Sequence, residues 1–152
     1  MSGLVRPAEA GPAPVVTFYD AAGAPRRIAD FRGKVVVMNI WATWCAPCVI
    51  EMPTLAKLAK AYEGRPVEFV PVSIDKEDAR DKAKAFIAKH PPLTFYIEPK
   101  STMPFALKPP SSGAPTTVIY GRDGVEFARL AGEADWSSPE ARAVIDAALA
   151  RP

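Results

Sequence analysis

Sulfur and imidazole are scarce in this chain: two cysteines, four methionines and one histidine, His90, among 152 residues. Two thiols and one imidazole cannot make the usual four-ligand structural zinc site of cysteine and histidine, and no metal is expected. Met38, Met52 and Met103 are scattered, which suits core filling better than a copper-binding cluster. No apolar run approaches the ~20 residues that a membrane-spanning helix needs. Neither sign of charge dominates, since 19 basic and 17 acidic residues are interleaved for a net charge of +2. That speaks against a nucleic-acid stripe or a polybasic membrane-binding run. The opening MSGLVRPAEAGPAPVV lacks the basic segment and apolar centre of a secretory signal. The chain is therefore read as cytoplasmic, or as one from which a targeting segment or anchor has been removed.

What is present suits one globular domain, with 49% hydrophobic and 24% charged residues. Residues 1–13, rich in Ala, Pro and Gly, read as a flexible tail, and residues 14–150 as the domain. VVTFYD and PRRI read as a short hairpin punctuated by Gly23 and Pro25. VVVMNI, residues 35–40, is apolar on both faces and reads as a central, covered strand. From Ala46 to Tyr62 the spacing of Met52, Leu55, Ala56, Ala59 and Tyr62 predicts a helix, with a kink at Pro53. VEFVPVSI predicts a second buried strand. A helix follows with Ala79, Ala83, Phe86 and Ile87 on one stripe, ended by Pro91-Pro92. LTFYIE predicts a short strand, and KSTMPFALKPPSSG a long connection with at most a short helix. TTVIY and VEFARLAG form a hairpin around GRDG, and Ser138, Pro139 and Glu140 open a last helix. Strands alternating with helices imply an α/β layering on a mixed sheet.

The two cysteines stand in NIWATWCAPCVIEMP, three residues apart. Cys45 leaves a buried strand through WATW and falls in the first turn of the next helix, where unpaired N–H groups stabilise an anion. Its pKa should lie below the ~8.5 of an unperturbed thiol. Cys48 lies deeper in the turn and should be more buried and less acidic. Residues i and i+3 share a helix face, so a disulfide closes with little backbone movement. A staple across so small a loop stabilises poorly, which favours redox work. Cys45 would attack a partner's disulfide and Cys48 would resolve the mixed disulfide. Copper(I) binding or delivery by the same two soft ligands is the alternative.

The segment WATWCAPCVIEMP resembles the active-site motif W-x-x-W-C-x-P-C-x-x-E-x-P of the membrane-anchored bacterial thiol:disulfide oxidoreductases of the TlpA/ResA type. Trp41, Trp44, Cys45, Pro47, Cys48, Glu51 and Pro53 meet it, and AGEADW with the closing helix is similar to TlpA. The resemblance implies a thioredoxin fold: a four- or five-stranded mixed sheet flanked by helices, with an N-terminal β-hairpin and an insertion before a cis-proline loop. It implies that Ala114-Pro115 is that loop, with Pro115 facing the disulfide and the backbone of Ala114 pairing with an extended substrate. It implies no cofactor beyond the Cys45–Cys48 dithiol. Its further implications are protein disulfides as substrates, in cytochrome c maturation or copper-site and cytochrome oxidase assembly. Electrons would come from a transmembrane reductase of the DsbD/CcdA kind, and the location would be periplasmic or extracytoplasmic, with a native membrane anchor. Nothing suggests an obligate interface, so a monomer is expected, and no nucleic-acid partner.

Trp44, Ala46 and Pro47 are the expected docking residues beside Ala114. Trp41 and Trp136 suit packing, and His90 a helix end. Asn39, six residues before Cys45, stands where thioredoxin carries a buried aspartate that moves protons, so proton transfer falls to another group. Asp75 at a strand end is preferred, Glu51 and Glu98 being the other candidates. Glu51, one turn past Cys48, reads more readily as a structural or solvated helix residue. A thiol peroxidase would need a threonine and proline upstream of a lone cysteine, at a spacing that residues 38–44 do not supply; a redox-inert binding module would leave insulin unreduced.

Overall fold

The computed structural model describes residues 3–7 and 11–151. Its frame is one mixed sheet of eight strands. In chain order the strands begin with β1 (Leu4–Val5), β2 (Phe18–Asp20), β3 (Pro25–Arg26) and β4 (Val35–Trp41). Helix α1 (Ala46–Ala61), β5 (Val67–Ser73), α2 (Arg80–Ala88), β6 (Tyr96–Ile97) and α3 (Met103–Ala106) follow. β7 (Thr116–Tyr120), β8 (Glu126–Ala131) and α4 (Pro139–Ala150) complete the chain. Across the sheet the order is β1-β8-β7-β4-β5-β6-β2-β3, with β4/β5 and β5/β6 parallel and the other pairs antiparallel.

β4 lies centrally because every one of its seven residues is buried, as its two-faced apolar run predicts. α1 buries Met52, Leu55, Ala56 and Ala59, with Tyr62 buried just beyond its end. It runs unbroken through Pro53, whose ring lies on the exposed face. α4 begins as its sequence predicts: the Ser138 hydroxyl accepts the Ala141 N–H at 3.3 Å and Pro139 fills the first turn. Met38, Met52 and Met103 are all core residues.

The sheet is wider than the four or five strands expected. The hairpin β2/β3 adds to it through the Tyr19↔Ile97 register with β6, and β1 adds through Leu4↔Leu130 on β8. Leu4 and Val5 thus occupy a sheet edge within the stretch for which a flexible tail is expected, and Pro12 bridges Val125. Residues 1, 2 and 8–10 of that stretch lie outside the described ones. Between β5 and β7 lie α2, β6 and α3, the insertion ahead of the proline loop. The Pro91–Pro92, Lys108–Pro109 and Ala114–Pro115 bonds are cis.

Candidate active site

The carboxyl ends of β4 and β5 and the start of β7 meet at one edge of the sheet. There the chain leaves Trp41, whose carbonyl accepts the Ile74 N–H at 2.9 Å, and turns so that Ala42 O accepts the Cys45 N–H at 3.1 Å. Cys45 is the N-cap of α1, in extended backbone, and Pro47 sits in the first turn, where no helical N–H is lost. Cys45 and Cys48 are joined in a disulfide with Cα atoms 5.3 Å apart. Cys48 is wholly enclosed, whereas Cys45 retains 5% exposure. Of the pair, only Cys45 has any surface to offer a partner. Trp44 stands open at 69% exposure and Ala46 and Pro47 are also exposed, while Trp41 is core, its ring 5.2 Å from that of Phe86.

The Ala114–Pro115 loop enters β7 beside this turn, because Thr116 is the register partner of Ile40, one residue before Trp41. Pro115 is buried and its carbonyl accepts the Gly132 N–H at 2.8 Å. Ala114 is partly exposed, and among the described residues neither its N–H nor its carbonyl has a hydrogen-bond partner. The expected docking residues Trp44, Ala46, Pro47 and Ala114 therefore converge on one edge.

The three candidate carboxylates are all buried, each in a different setting. Asp75 accepts from the Thr43 N–H at 3.0 Å, the Thr43 hydroxyl at 2.7 Å and the Ser73 hydroxyl at 2.6 Å. It grips the loop between Trp41 and Cys45. Asp75→Asn should place an amide against these donors and lower stability by about 1–3 kcal/mol, read by urea unfolding of the oxidised protein. Glu98 accepts the N–H groups of Lys100 and Met103 at 2.8 and 2.7 Å and orders the start of α3.

Glu51, read from the sequence as a structural or solvated helix residue, is enclosed rather than solvated. It is buried, and Oε1 accepts from Asn39 Nδ2 at 2.9 Å. Oε2 accepts from the Ala134 N–H at 2.9 Å and from Trp136 Nε1 at 3.1 Å. Loss of water around it raises its pKa, against the lowering effect of the Asn39, Ala134 and Trp136 donors. The signal was available: Glu51 precedes Leu55 by four and Leu58 by seven, on the helix's buried stripe. Asn39 Nδ2 also donates to Thr117 Oγ1 at 2.9 Å, and its buried Oδ1 has no partner. His90 lies against the Phe86 ring at 4.7 Å, and burial lowers its pKa. Among the described residues no cluster of three or more His, Cys, Asp or Glu side chains is placed to hold a metal.

The Redoxin family model matches residues 8–145. The chain belongs to the Redoxin family. This Redoxin is 40% identical over 62 residues to thiol-disulfide oxidoreductase ResA of Geobacillus thermodenitrificans, a match covering 41% of the chain and 36% of the relative. To ResA of Bacillus cereus it is 27% identical over 124 residues, covering 80% of the chain and 68% of the relative. Its fold superposes with a TM-score of 0.79 on a Chlorobium tepidum crystal structure described as a thiol:disulfide interchange protein, DsbE. That match has 25% identity and covers 93% of this chain and 97% of the other. The Redoxin thus has the mixed-sheet thioredoxin-like fold that its motif implies.

Proposed function

We propose that this Redoxin is a thiol:disulfide oxidoreductase that reduces disulfides in extracytoplasmic target proteins. The observation that carries the reading is the asymmetric disulfide at the start of α1: Cys45 at the N-cap with a margin of exposure, Cys48 enclosed behind it. The ResA relatives and the Chlorobium interchange protein support it.

In the reduced protein, the Cys45 thiolate attacks one sulfur of the target disulfide. That bond breaks, the departing target sulfur takes up a proton, and a mixed disulfide joins Cys45 to the target. Cys48 then loses its proton and attacks Cys45 Sγ, which expels the second target sulfur as a thiol. Two electrons have passed to the target and the Cys45–Cys48 disulfide is closed. Trp44, Ala46 and Pro47 offer the surface around the sulfurs, and Ala114 offers its unpaired backbone to the target chain. Pro115 holds Ala114 at that edge.

Glu51 is the better candidate for taking the Cys48 proton. It follows Cys48 by one helical turn, it is buried, and burial raises its pKa, which makes its carboxylate a stronger base than an exposed one. Asn39 provides for both states. While Glu51 is ionised, the amide donates to Oε1; rotation of the amide by half a turn presents the unpartnered Oδ1 to a protonated Oε1. The Thr117 hydroxyl can follow by donating instead of accepting. Asp75, whose oxygens are engaged by Thr43 and Ser73, has the place of a clasp on the loop.

The reading extends to a monomeric extracytoplasmic domain, membrane-anchored in its native form and reduced by a DsbD/CcdA-like transmembrane dithiol. Its targets would be apocytochrome c or proteins of copper-site and cytochrome oxidase assembly. The test is capture. Cys48→Ser protein, reduced and exposed to a periplasmic extract, should retain target proteins as mixed disulfides on Cys45, released by dithiothreitol and identified by mass spectrometry. Capture of nothing, with full Cu(I) binding by the unmodified pair, would replace this reading with copper delivery.

A further inference from the structure

We infer that Ser111 and Thr116 form a hydroxyl brace that positions Ala114 for target binding, making them positioning residues of the disulfide exchange. The inference rests on the function proposed above. Both side chains are buried, at 8% and 1% exposure, and their oxygens are 2.6 Å apart. Between them lies one residue of the loop, Gly113. The Gly113 N–H donates to Ser111 Oγ at 3.1 Å, and Thr116 Oγ1 donates to Gly113 O at 2.6 Å.

Proton counting narrows the arrangement. Two hydroxyl protons serve three contacts: Ser111 Oγ to Thr116 Oγ1, Ser111 Oγ to Gly113 O, and Thr116 Oγ1 to Gly113 O. The assignment that gives a proton to both of the 2.6 Å contacts, leaving the 3.0 Å one without, is a closed ring: Gly113 N–H to Ser111 Oγ, Ser111 O–H to Thr116 Oγ1, Thr116 O–H to Gly113 O. Bonds in such a ring polarise one another in the same sense. The ring also depends on the backbone at Gly113, whose φ of 135° is one that only glycine adopts readily. Outside the ring, Pro104 O accepts the Ser111 N–H at 2.9 Å and ties the loop to α3.

The braced residue is the one just ahead of Ala114, and its carbonyl shares a peptide plane with the Ala114 N–H; the N–H and carbonyl of Ala114 are unpaired among the described residues. On the far side of Ala114 the Pro115 carbonyl is fixed by the Gly132 N–H, so the hydroxyl brace is the restraint on the side that precedes it in the chain. Loss of the Thr116 hydroxyl should free the Gly113 carbonyl and loss of the Ser111 hydroxyl the Gly113 N–H, and either should let Ala114 turn away from an approaching strand. A disulfide without a peptide backbone has no such pairing to lose, and that separates positioning from mere stability.

Pre-reduced protein is mixed under single-turnover conditions with insulin or with 2-hydroxyethyl disulfide. For Thr116→Val the preference for insulin over the small disulfide should fall by about tenfold, chiefly as a higher half-saturating insulin concentration. Thr116→Ser should restore it. Ser111→Ala, a change outside the sheet, should show the same loss and serves if Thr116→Val fails to fold. Rates on both disulfides that fall together, or an unchanged preference in both variants, would overturn the inference while leaving the proposed function standing. Wild-type protein inert towards both disulfides would overturn the two together.

Discussion

Reduced Cys45→Ser protein is expected to leave insulin intact, its rate indistinguishable from the uncatalysed background. The reason is steric before it is chemical. Once Cys45 is gone the remaining thiol is Cys48, which has no exposed surface and cannot meet a disulfide carried by another protein. Cys48→Ser should behave differently, completing the first exchange and stopping with one equivalent of target bound. Alkylation by iodoacetamide supplies the matching measurement. In reduced wild type, Cys45 should react at a lower pH than free cysteine does, because the unpaired N–H groups opening α1 favour its thiolate. A Cys45 that alkylates like free cysteine, in a protein that spares insulin, would remove the basis of the proposed function.

The second large effect is expected at Glu51. Glu51→Gln keeps the shape and permits the same contacts: its carbonyl can accept from Ala134 and Trp136, and its amide can donate to a rotated Asn39. The fold should survive, yet release of the target from the mixed disulfide should slow on the order of 10²-fold at neutral pH, the usual contribution of a positioned base. The inflection assigned to Glu51 should vanish from the pH dependence of that step. Stability gives an independent reading. Burial raises the Glu51 pKa, so the folded protein holds its proton over a range where the unfolded chain has released it. The contribution of Glu51 is therefore fully present below the unfolded carboxyl value and is lost as pH rises through the raised one. Urea unfolding of oxidised wild type should show this decline, and Glu51→Gln should not. Glu51→Ala, by contrast, strands the buried Trp136 Nε1 and the Ala134 N–H and should cost about 3 kcal/mol or more.

Much of this architecture is legible in the sequence because single physical patterns specify it. The β4 run is apolar on both faces, the apolar residues from Met52 to Tyr62 recur at helical spacing, and Ser138-Pro139 is a favoured helix start. The dithiol is legible for the same reason: motif and local structure coincide at the opening of α1. What escapes is whatever depends on contacts distant in sequence. Leu4–Val5 is too short to show alternation and lies in an Ala/Pro/Gly-rich stretch, so its pairing with β8 leaves no local trace. Glu51 is charged in a row of apolar neighbours, and its enclosure is decided by Asn39, 12 positions back, and Trp136, 85 positions on. Ser111 reads as an ordinary turn residue until Thr116 is folded against it.

The borders of the sheet carry one more consequence. Each outermost strand is two residues long, β1 on one side and β3 on the other, and β3 contains Pro25, which has no N–H to give. A protein with the function proposed above would meet the exposed backbone of its targets. Blunt margins of this kind would give that backbone almost no ladder to extend, leaving the sulfur-bearing rim as the place of contact.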